Sequence, residues 1–336
     1  MTIISRCLLG ALGRKARLAC ASAMLGAALL PAGAASADTY PSKPVRLIVP
    51  YTPGGATDMV ARIVAQHLGT RLGQSVIVEN KPGAGGNIGS QMVASAAPDG
   101  YTLLFSTTAN AINESLYKDL PFDFKQAFEP VTQLVELPNV VITGPDVPVD
   151  SIAEVIALAK KDPKALTYAS AGTGTSTHLA TELFKTMAGV NILHVPYKGS
   201  APAMTDLRGG RVQLMFDNIP SALPQVQGGA VRALAVTSSR RSPVLPDVPT
   251  VAEAGVPGYE AVAWHGISVP ARTPAPVVER LSTEIAQVLK QPEVVKQLTA
   301  IGATPVGSTP AQFQAHIDKE LAKWQKVVAE SGATLN

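Results

Sequence analysis

Cysteine is nearly absent from this chain of 336 residues, because only Cys7 and Cys20 occur and both fall within the first 37 residues. That segment has a cationic start, a short apolar stretch and the small-x-small tripeptide Ala35-Ser36-Ala37, which are the features of a cleaved signal peptide. Its removal leaves no cysteine, which excludes a disulfide framework and a thiolate metal site. We therefore predict a signal peptide over residues 1–37, cleaved after Ala37, and an exported mature protein.

An excess of one charge sign is also missing from the mature chain. The whole chain has 28 lysine and arginine residues against 25 aspartate and glutamate residues. Four basic residues (Arg6, Arg14, Lys15 and Arg17) lie in the signal segment, which leaves 24 basic against 25 acidic residues. This balance removes the electrostatic argument for a nucleic-acid partner. A membrane span is not predicted either, because the apolar run Leu18–Leu30 is too short for one.

The motifs of several enzyme classes are absent as well. No Walker A sequence occurs, and the glycine-rich stretch 80–89 misses the dinucleotide fingerprint because Ile88 stands where the third glycine belongs. Ser170 lacks the GxSxG surroundings of a hydrolase nucleophile. His178 has no partner at metal-ligand spacing, and His265, like the other histidines, is interpreted as structural. We predict no catalytic residue, no metal and no cofactor.

The mature chain alternates strand-like and helix-like segments with short glycine and proline turns, the pattern of a mostly parallel α/β fold. A first series of alternating strand and helix segments ends near residue 137, and a second series runs from about Asn139 to Ser238. Three helical patterns from Pro276 onward have proline near their first turn and need a sheet to cover. We therefore predict that the chain returns to its first domain, with lobe 1 formed by residues 38–137 and 266–336 and lobe 2 by residues 138–265.

Two lobes joined by two chain crossings form a hinge. In open α/β sheets, ligands bind beyond the carboxyl ends of the strands, so two facing sheets predict a ligand cleft between the lobes. Residues 111–130 are predicted to form an irregular surface loop.

The segment Val45–Asp58 is the most informative part of the sequence. An apolar strand pattern stops at Pro50, a Pro-Gly-Gly turn follows, and a helical pattern starts near Asp58. A glycine turn before a helix leaves main-chain N–H groups uncovered at the positive end of the helix dipole, where small anions bind. We expect the N–H groups around Gly55 to Thr57 to bind a carboxylate, although a tight turn alone would give the same sequence.

Further loops of similar composition follow other predicted strands. The stretches 80–89, 106–110 and 169–179 are rich in glycine and hydroxyl residues, and ordinary turns or helix caps are the alternative interpretation of each. Asp217 follows the apolar strand Val212–Phe216 and is predicted to bind an ammonium or hydroxyl group of a ligand.

With these residues in view, the chain resembles the Bug family, the extracytoplasmic solute-binding proteins of tripartite tricarboxylate transporters. The motifs that carry the resemblance cover essentially the whole mature chain in order. They are PVRLIVPYxPGGxxD (44–58), VENKPGAGGNIG (78–89), DGYTLL (99–104), GxGTxxHL (172–179), VPYKG (195–199), Asp217 and LPDVPTxxE (245–253).

The resemblance implies an α/β, two-lobed periplasmic binding protein of type II, or Venus-flytrap, with two parallel-type sheets and a hinge of two crossings. It implies capture of a small carboxylate-bearing anion and its delivery to integral-membrane transporter subunits. The implied ligand contacts are Gly55, Ala56, Thr57, Asp58, Gly86 and Thr107 in lobe 1, and Ser170, Thr175 and Asp217 in lobe 2.

Two other functions stay open at this stage. A sensor subunit that presents its ligand to a membrane histidine kinase could have the same sequence. An enzyme acting on a small carboxylate would need chemistry from Asp217 and His178, for which no nucleophile–base spacing is visible. The identity of the carboxylate is left open, and a monomer is expected.

Overall fold

The computed structural model describes residues 40–331 and residue 333. The predicted signal peptide, with its cleavage position and both cysteines, lies outside the described residues. Among the residues that are described, no helix has both the length and the apolar character needed to cross a membrane.

Ten strands and eleven α-helices alternate along the described chain. The strands are β1 Val45–Val49, β2 Val76–Asn80, β3 Thr102–Thr107, β4 Phe128–Thr143, β5 Thr167–Ser170, β6 Leu193–Pro196, β7 Leu214–Asn218, β8 Arg232–Val236, β9 Val262–Pro270 and β10 Thr304–Pro305. The helices are α1 Ala56–Leu72, α2 Asn87–Ala94, α3 Thr108–Leu116, α4 Phe124–Ala127, α5 Ile152–Lys161, α6 Ser176–Ala188, α7 Ser200–Arg208, α8 Ile219–Gln227, α9 Ala275–Leu289, α10 Pro292–Ala300 and α11 Pro310–Ser331.

The first sheet is centred on β1, which pairs in parallel with β2 and with β3. β1 is buried except at Arg46, whose guanidinium bonds to Glu79 of β2 at 2.7 Å. On the far side of β3 the sheet continues into β9 and then into the first part of β4, and both pairings are antiparallel. The sheet is therefore mixed, with parallel pairing confined to β1–β3.

The second sheet has the same plan. β5 pairs in parallel with β6 and β7, and β7 pairs antiparallel with the second part of β4. β4 belongs to both sheets, because its pairing with β9 ends at Pro138 and its pairing with β7 begins at Asn139. Each parallel strand of both sheets is followed by a helix, directly after β3 and β7 and through a short loop elsewhere, which is the arrangement that the alternating sequence pattern predicts.

The last helix covers the first sheet. Phe313, Ile317 and Trp324 of α11 are buried in one apolar cluster with Ile48 of β1 and Leu104 of β3. Their spacing matches the apolar face that the sequence predicts for this helix. The C-terminal segment thus packs on the strands at the start of the chain.

The prediction of an irregular surface loop over residues 111–130 is wrong in part. α3 continues to Leu116, α4 occupies Phe124–Ala127 and β4 starts at Phe128. The sequence of α3 is polar, but the Asn110 side chain accepts from the N–H of Thr107 at 2.8 Å, and Ile112 is fully buried. A side-chain cap and a short apolar face therefore stabilise a helix that a polarity argument misses.

Candidate functional site

A cleft lies where loops of the two sheets meet. Its free space, including the open mouth, is about 410 Å³. The described lining residues include no aspartate, glutamate, lysine or arginine, and His265 is the one histidine among them. The lining residues are Tyr51, Thr52, Gly55, Ala56, Thr57, Thr107 and His265 from the side of the first sheet, and Ala171, Thr175, Ser176, Thr177, Ser200 and Asn218 from the side of the second.

The β1 loop, defined as residues 50–57 so that it includes the first two residues of α1, contributes to this cleft. Gly55 is the N-cap and has extended backbone angles, and the first helical hydrogen bond runs from Met59 N to Gly55 O at 3.0 Å. Among the described residues, no atom accepts from the N–H groups of Ala56 and Thr57. A glycine N-cap has no side-chain oxygen to satisfy them, so they stay available for an anion.

Asp58 lies behind these amides. Its carboxylate accepts from the N–H of Gly54 at 3.0 Å, from Asn80 at 3.0 Å and from Arg62 at 3.0 Å. Burial alone would raise the pKa of Asp58, but these hydrogen bonds and the charge of Arg62 lower it. Asp58 is therefore a carboxylate that fixes the β1 loop, and its charge is compensated by Arg62.

The floor of the cleft contains Tyr51 and Thr107. The Tyr51 hydroxyl donates to the carbonyl of Gly85 at 3.2 Å and lies 3.4 Å from Thr107 Oγ1. Burial raises the pKa of Tyr51 to about 12, so its hydroxyl stays protonated. Gly86 is buried beneath this ring, where a Cβ would lie 3.1 Å from the Tyr51 hydroxyl.

The β5 loop (residues 171–175) is bonded mainly to itself. Thr177 Oγ1 accepts from Ala171 N at 2.9 Å, Ser170 Oγ from Gly172 N at 3.1 Å, and His178 Nδ1 from Gly174 N at 3.2 Å. The N-cap of α6, Thr175, donates from Oγ1 to the Gly172 carbonyl at 2.6 Å. Side chains thus satisfy three amides of the loop, whereas the Ser176 and Thr177 amides that follow it at the start of α6 have no acceptor among the described residues.

A stack of aromatic rings supports the β5 loop. His178 and His194 lie 4.2 Å apart between ring centroids, with Tyr168 stacked on His194 at 4.7 Å. Ser170 Oγ lies 2.6 Å from His194 Nε2, and Tyr168 donates to Glu182. Burial lowers the pKa of His178 to about 4, with a smaller effect of the Lys185 charge, and it lowers the pKa of His194 to about 3. Both histidines are neutral at pH 7.

Asp217 at the end of β7 is fully buried. It accepts from Ser200 Oγ at 2.6 Å, from Ser221 Oγ and from the N–H of Asn218 at 2.9 Å. Burial raises the pKa of Asp217 to about 6, an increase that these three donors limit. Its side chain positions Ser200 and Asn218, which are the residues of this region that line the cleft.

Glycines allow the two sides of the cleft to touch. A Cβ on Gly85 would lie 2.2 Å from the Thr173 carbonyl oxygen, and a Cβ on Gly174 would lie 1.9 Å from Asn113 Oδ1. A Cβ on Gly199 would lie 2.1 Å from Thr52 Oγ1. These distances describe a cleft whose two rims are in van der Waals contact.

The structure brings five of the nine predicted site residues to the cleft surface: Gly55, Ala56, Thr57, Thr107 and Thr175. The side chains of Asp58, Ser170 and Asp217 bond to neighbouring residues behind that surface, and Gly86 packs under Tyr51. The other cleft residues, Tyr51, Thr52, Ala171, Ser176, Thr177, Ser200, Asn218 and His265, are outside the nine predicted contacts. Five of them lie within the candidate stretches Val45–Asp58 and 169–179 and Asn218 follows Asp217 directly, whereas nothing local marks His265. The described residues contain no group of three or more histidine, cysteine or acidic side chains arranged to hold a metal ion.

Residues 60–333 match the family model of the tripartite tricarboxylate transporter family receptor. The chain is 41% identical to Protein BugT of Bordetella pertussis over 318 residues, which is 93% of this chain and 98% of that protein. Its fold matches R. palustris Rpa4515 with adipate at a TM-score of 0.86, with 42% identity over 88% of this chain and 100% of that chain. It also matches MatC from Rhodopseudomonas palustris with bound malate at a TM-score of 0.83, with 33% identity over 86% of this chain and 100% of that chain.

Proposed function

The chain belongs to the tripartite tricarboxylate transporter receptor family, and from this membership we propose that it captures a small carboxylate-bearing organic anion and delivers it to a membrane transporter. It has the two-lobed α/β fold of the solved periplasmic binding proteins of this family. Members of the family are receptors that bind carboxylates and work with tripartite transporters.

One observation carries the proposal. The N–H groups of Ala56 and Thr57 find no acceptor among the described residues, and both residues line a cleft whose lining is neutral. An anion is the ligand that this combination favours, because the helix dipole and two convergent donors stabilise negative charge without an arginine. The adipate and malate held by the two similar structures are dicarboxylates.

The proposed ligand contacts follow from the cleft lining. Gly55, Ala56 and Thr57 bind one carboxylate. Thr107 contacts the ligand from the floor of the cleft, and Thr175 contacts it from the opposite rim without a hydrogen bond, because the Thr175 hydroxyl donates to Gly172. The other predicted site residues lie behind the cleft surface and position the groups that contact the ligand; they are Asp58, Gly86, Ser170 and Asp217. The proposed lobes are residues 38–137 with 266–336, and residues 138–265. The change of pairing partner between Pro138 and Asn139 supports one hinge crossing there.

Localisation and partners complete the proposal. Family membership supports a periplasmic protein, and we propose that residues 1–37 are the signal peptide that directs it there, cleaved after Ala37. The partners are the carboxylate and the membrane subunits of the transporter. We propose a monomer that binds no nucleic acid and catalyses no reaction on its ligand.

Calorimetry on the mature protein, unfolded and refolded to remove any bound compound, tests this function. Adipate, malate and a panel of mono- and tricarboxylates are titrated, and adipamide, the neutral diamide of adipate, is the matched control. We expect saturable heat from at least one carboxylate and none from adipamide. Absence of heat from the whole panel, with no organic anion in native mass spectra of the protein before refolding, would contradict the proposal.

A further inference from the structure

His265 lies at the floor of the cleft and has no assigned role. It belongs to β9 and is paired with Thr107 of β3, so the two side chains are neighbours on one face of the first sheet. Both residues line the cleft. His265 is 2% exposed as a residue, and its imidazole makes an edge contact with Phe105, with 5.1 Å between ring centroids.

Neither ring nitrogen of His265 has a hydrogen-bond partner among the residues that the structure describes. Nδ1 is fully buried and unpartnered. Nε2 is not among the fully buried atoms, so it is the ring nitrogen of His265 that faces the cleft. Buried polar groups nearly always have partners, because leaving one unpaired costs the free energy of its desolvation. A core histidine with only a packing role would be expected to bond at least one nitrogen to the protein.

The imidazole is neutral in this position. Burial lowers the pKa of His265 to about 3, and its contacts on the neighbouring strands, Phe105 and Thr107, bring no charge. A neutral imidazole carries one proton and has one donor and one acceptor nitrogen. An unpartnered N–H at the fully buried Nδ1 would be the costlier arrangement, so the proton belongs on Nε2, where it faces the cleft.

We propose that His265 is a ligand-binding residue whose Nε2–H donates a hydrogen bond to an oxygen atom of the captured carboxylate compound. This proposal rests on the proposed function and adds to it a side-chain donor from β9. The ligand is then bound by main-chain amides of the β1 loop and by one neutral side chain on a strand next to the proposed hinge. The ligand must therefore place oxygen acceptors within hydrogen-bond distance of the β1-loop amides and of His265 Nε2.

Three substitutions separate the hydrogen bond from packing. In His265→Gln the amide nitrogen occupies roughly the place of Nε2, in His265→Asn it occupies roughly the place of Nδ1, and His265→Phe keeps a ring beside Phe105 without a donor. We expect His265→Phe and His265→Asn to weaken carboxylate binding about tenfold or more, and His265→Gln to stay within about threefold of the unmodified protein. The matched control is His67→Phe, because His67 also has a buried unpartnered nitrogen, Nε2, but does not line the cleft.

Binding of adipate and malate is measured by calorimetry at pH 8, and thermal unfolding without ligand shows whether each variant folds. Nitrogen-15 NMR of the unmodified protein gives a second readout that needs no variant. We expect the His265 Nε2 resonance to move on saturation with ligand while Nδ1 keeps the shift of an unprotonated nitrogen.

Equal affinity of His265→Phe and the unmodified protein, or an Nε2 resonance that does not move at saturation, would refute the role of His265 and leave the proposed function intact. No binding of any carboxylate by the unmodified protein would instead refute the proposed function and this inference with it.

Discussion

The β1 loop and the β5 loop share a strand–loop–helix pattern but differ in how many of their amides bond to side chains. Both are glycine- and threonine-rich turns between a parallel strand and a helix, and both line the cleft. The first two amides of each helix, Ala56 and Thr57 in α1 and Ser176 and Thr177 in α6, have no protein acceptor among the described residues. The amides before α6 differ from those before α1, because Ala171, Gly172 and Gly174 all donate to side chains. Both loops therefore lead to free amides at a helix start, but side-chain hydrogen bonds hold the β5 loop more extensively than the β1 loop.

The difference comes from the residue that caps each helix. α1 has Gly55 as its N-cap, so no side-chain oxygen reaches its first amides within the described structure. α6 has Thr175, followed by Thr177 and His178, which supply acceptors to the loop. The Thr175 hydroxyl accepts from one amide of α6, that of His178 at 3.4 Å, and Gly55 offers α1 no such cap. Substitutions that exchange or remove these features can break the comparison.

The largest effect is expected where the two sides of the cleft touch. In Gly85→Ala the new Cβ would lie 2.2 Å from the Thr173 carbonyl oxygen, so the β5 loop must move away. Steric overlap with main chain costs about 1–3 kcal/mol. We therefore expect carboxylate affinity to fall by about tenfold to a hundredfold in calorimetric titrations.

Gly73→Ala is the matched control for this change. Gly73 has nearly the same backbone conformation, with φ of +68° against +62° for Gly85, and no described atom lies within 4 Å of its added Cβ. Both variants should lose about 1 kcal/mol of stability from the left-handed backbone, but only Gly85→Ala should lose affinity. Equal affinities of the two variants would mean that the rim contact is not needed for binding.

The next effect concerns the free amides of the β1 loop. Ala56→Pro removes one N–H at the first position of α1, where proline is compatible with the helix. A hydrogen bond to a charged group contributes about 1.5–3 kcal/mol, so we expect binding about tenfold to a hundredfold weaker in the same titrations.

Two further variants make this result specific. Ala56→Val adds bulk to the cleft and keeps the N–H, and Ala275→Pro places proline at the first position of the exposed start of α9. If the amide matters, Ala56→Val binds more tightly than Ala56→Pro, and Ala275→Pro binds like the unmodified protein. Similar losses in both Ala56 variants would indicate that volume, and not the N–H, determines affinity.

The sequence predicts the β1 loop well because its information is local. A strand, a glycine turn and a helix start lie within fourteen residues, so Gly55, Ala56 and Thr57 must share one loop. The end of a predicted strand tells where a residue lies but not which way its side chain points, since neighbouring residues of a strand point to opposite faces. Asp217 is thus fully buried behind Ser200, while the adjacent Asn218 lines the cleft.

His265 shows the other limit of sequence reasoning. It reaches Thr107 only because β9 returns across more than 150 residues to pair with β3. No local motif indicates that pairing, and an isolated histidine has no visible partner in the sequence. The same applies to the His178–His194 stack, whose members come from α6 and β6.

A smaller effect should distinguish the β5 loop by its response to pH. The pKa of His178 is about 4 in the folded protein against 6.5 for an ordinary histidine, so the unfolded chain binds more protons between these values. The contribution of His178 to stability is complete above pH 6.5 and is lost as the pH falls toward 4. We expect a loss of about 2 kcal/mol between pH 8 and pH 5 from this residue. Denaturant unfolding at both pH values measures it.

His178→Asn is the variant to compare, because its side-chain oxygen can still accept from the Gly174 amide but does not titrate. The pH dependence of the unfolding free energy should be shallower in this variant by about 2 kcal/mol. Affinity for a carboxylate at pH 8 should change little, since His178 supports the loop from behind. An unchanged pH dependence would show that protonation of His178 does not affect the free energy of unfolding.

The smallest effects come from a matched pair of threonines, one in each loop. Thr57→Val removes a hydroxyl with no protein partner among the described residues, so affinity should fall about threefold to tenfold with unchanged stability. Thr175→Val removes the N-cap oxygen of α6 and its bond to Gly172, so stability should fall by about 1 kcal/mol with little change in affinity. Calorimetry and denaturant unfolding of both variants give a two-by-two comparison. If Thr175→Val lost affinity while keeping its stability, the β5 loop would be a binding loop like the β1 loop, and the division of roles between them would not hold.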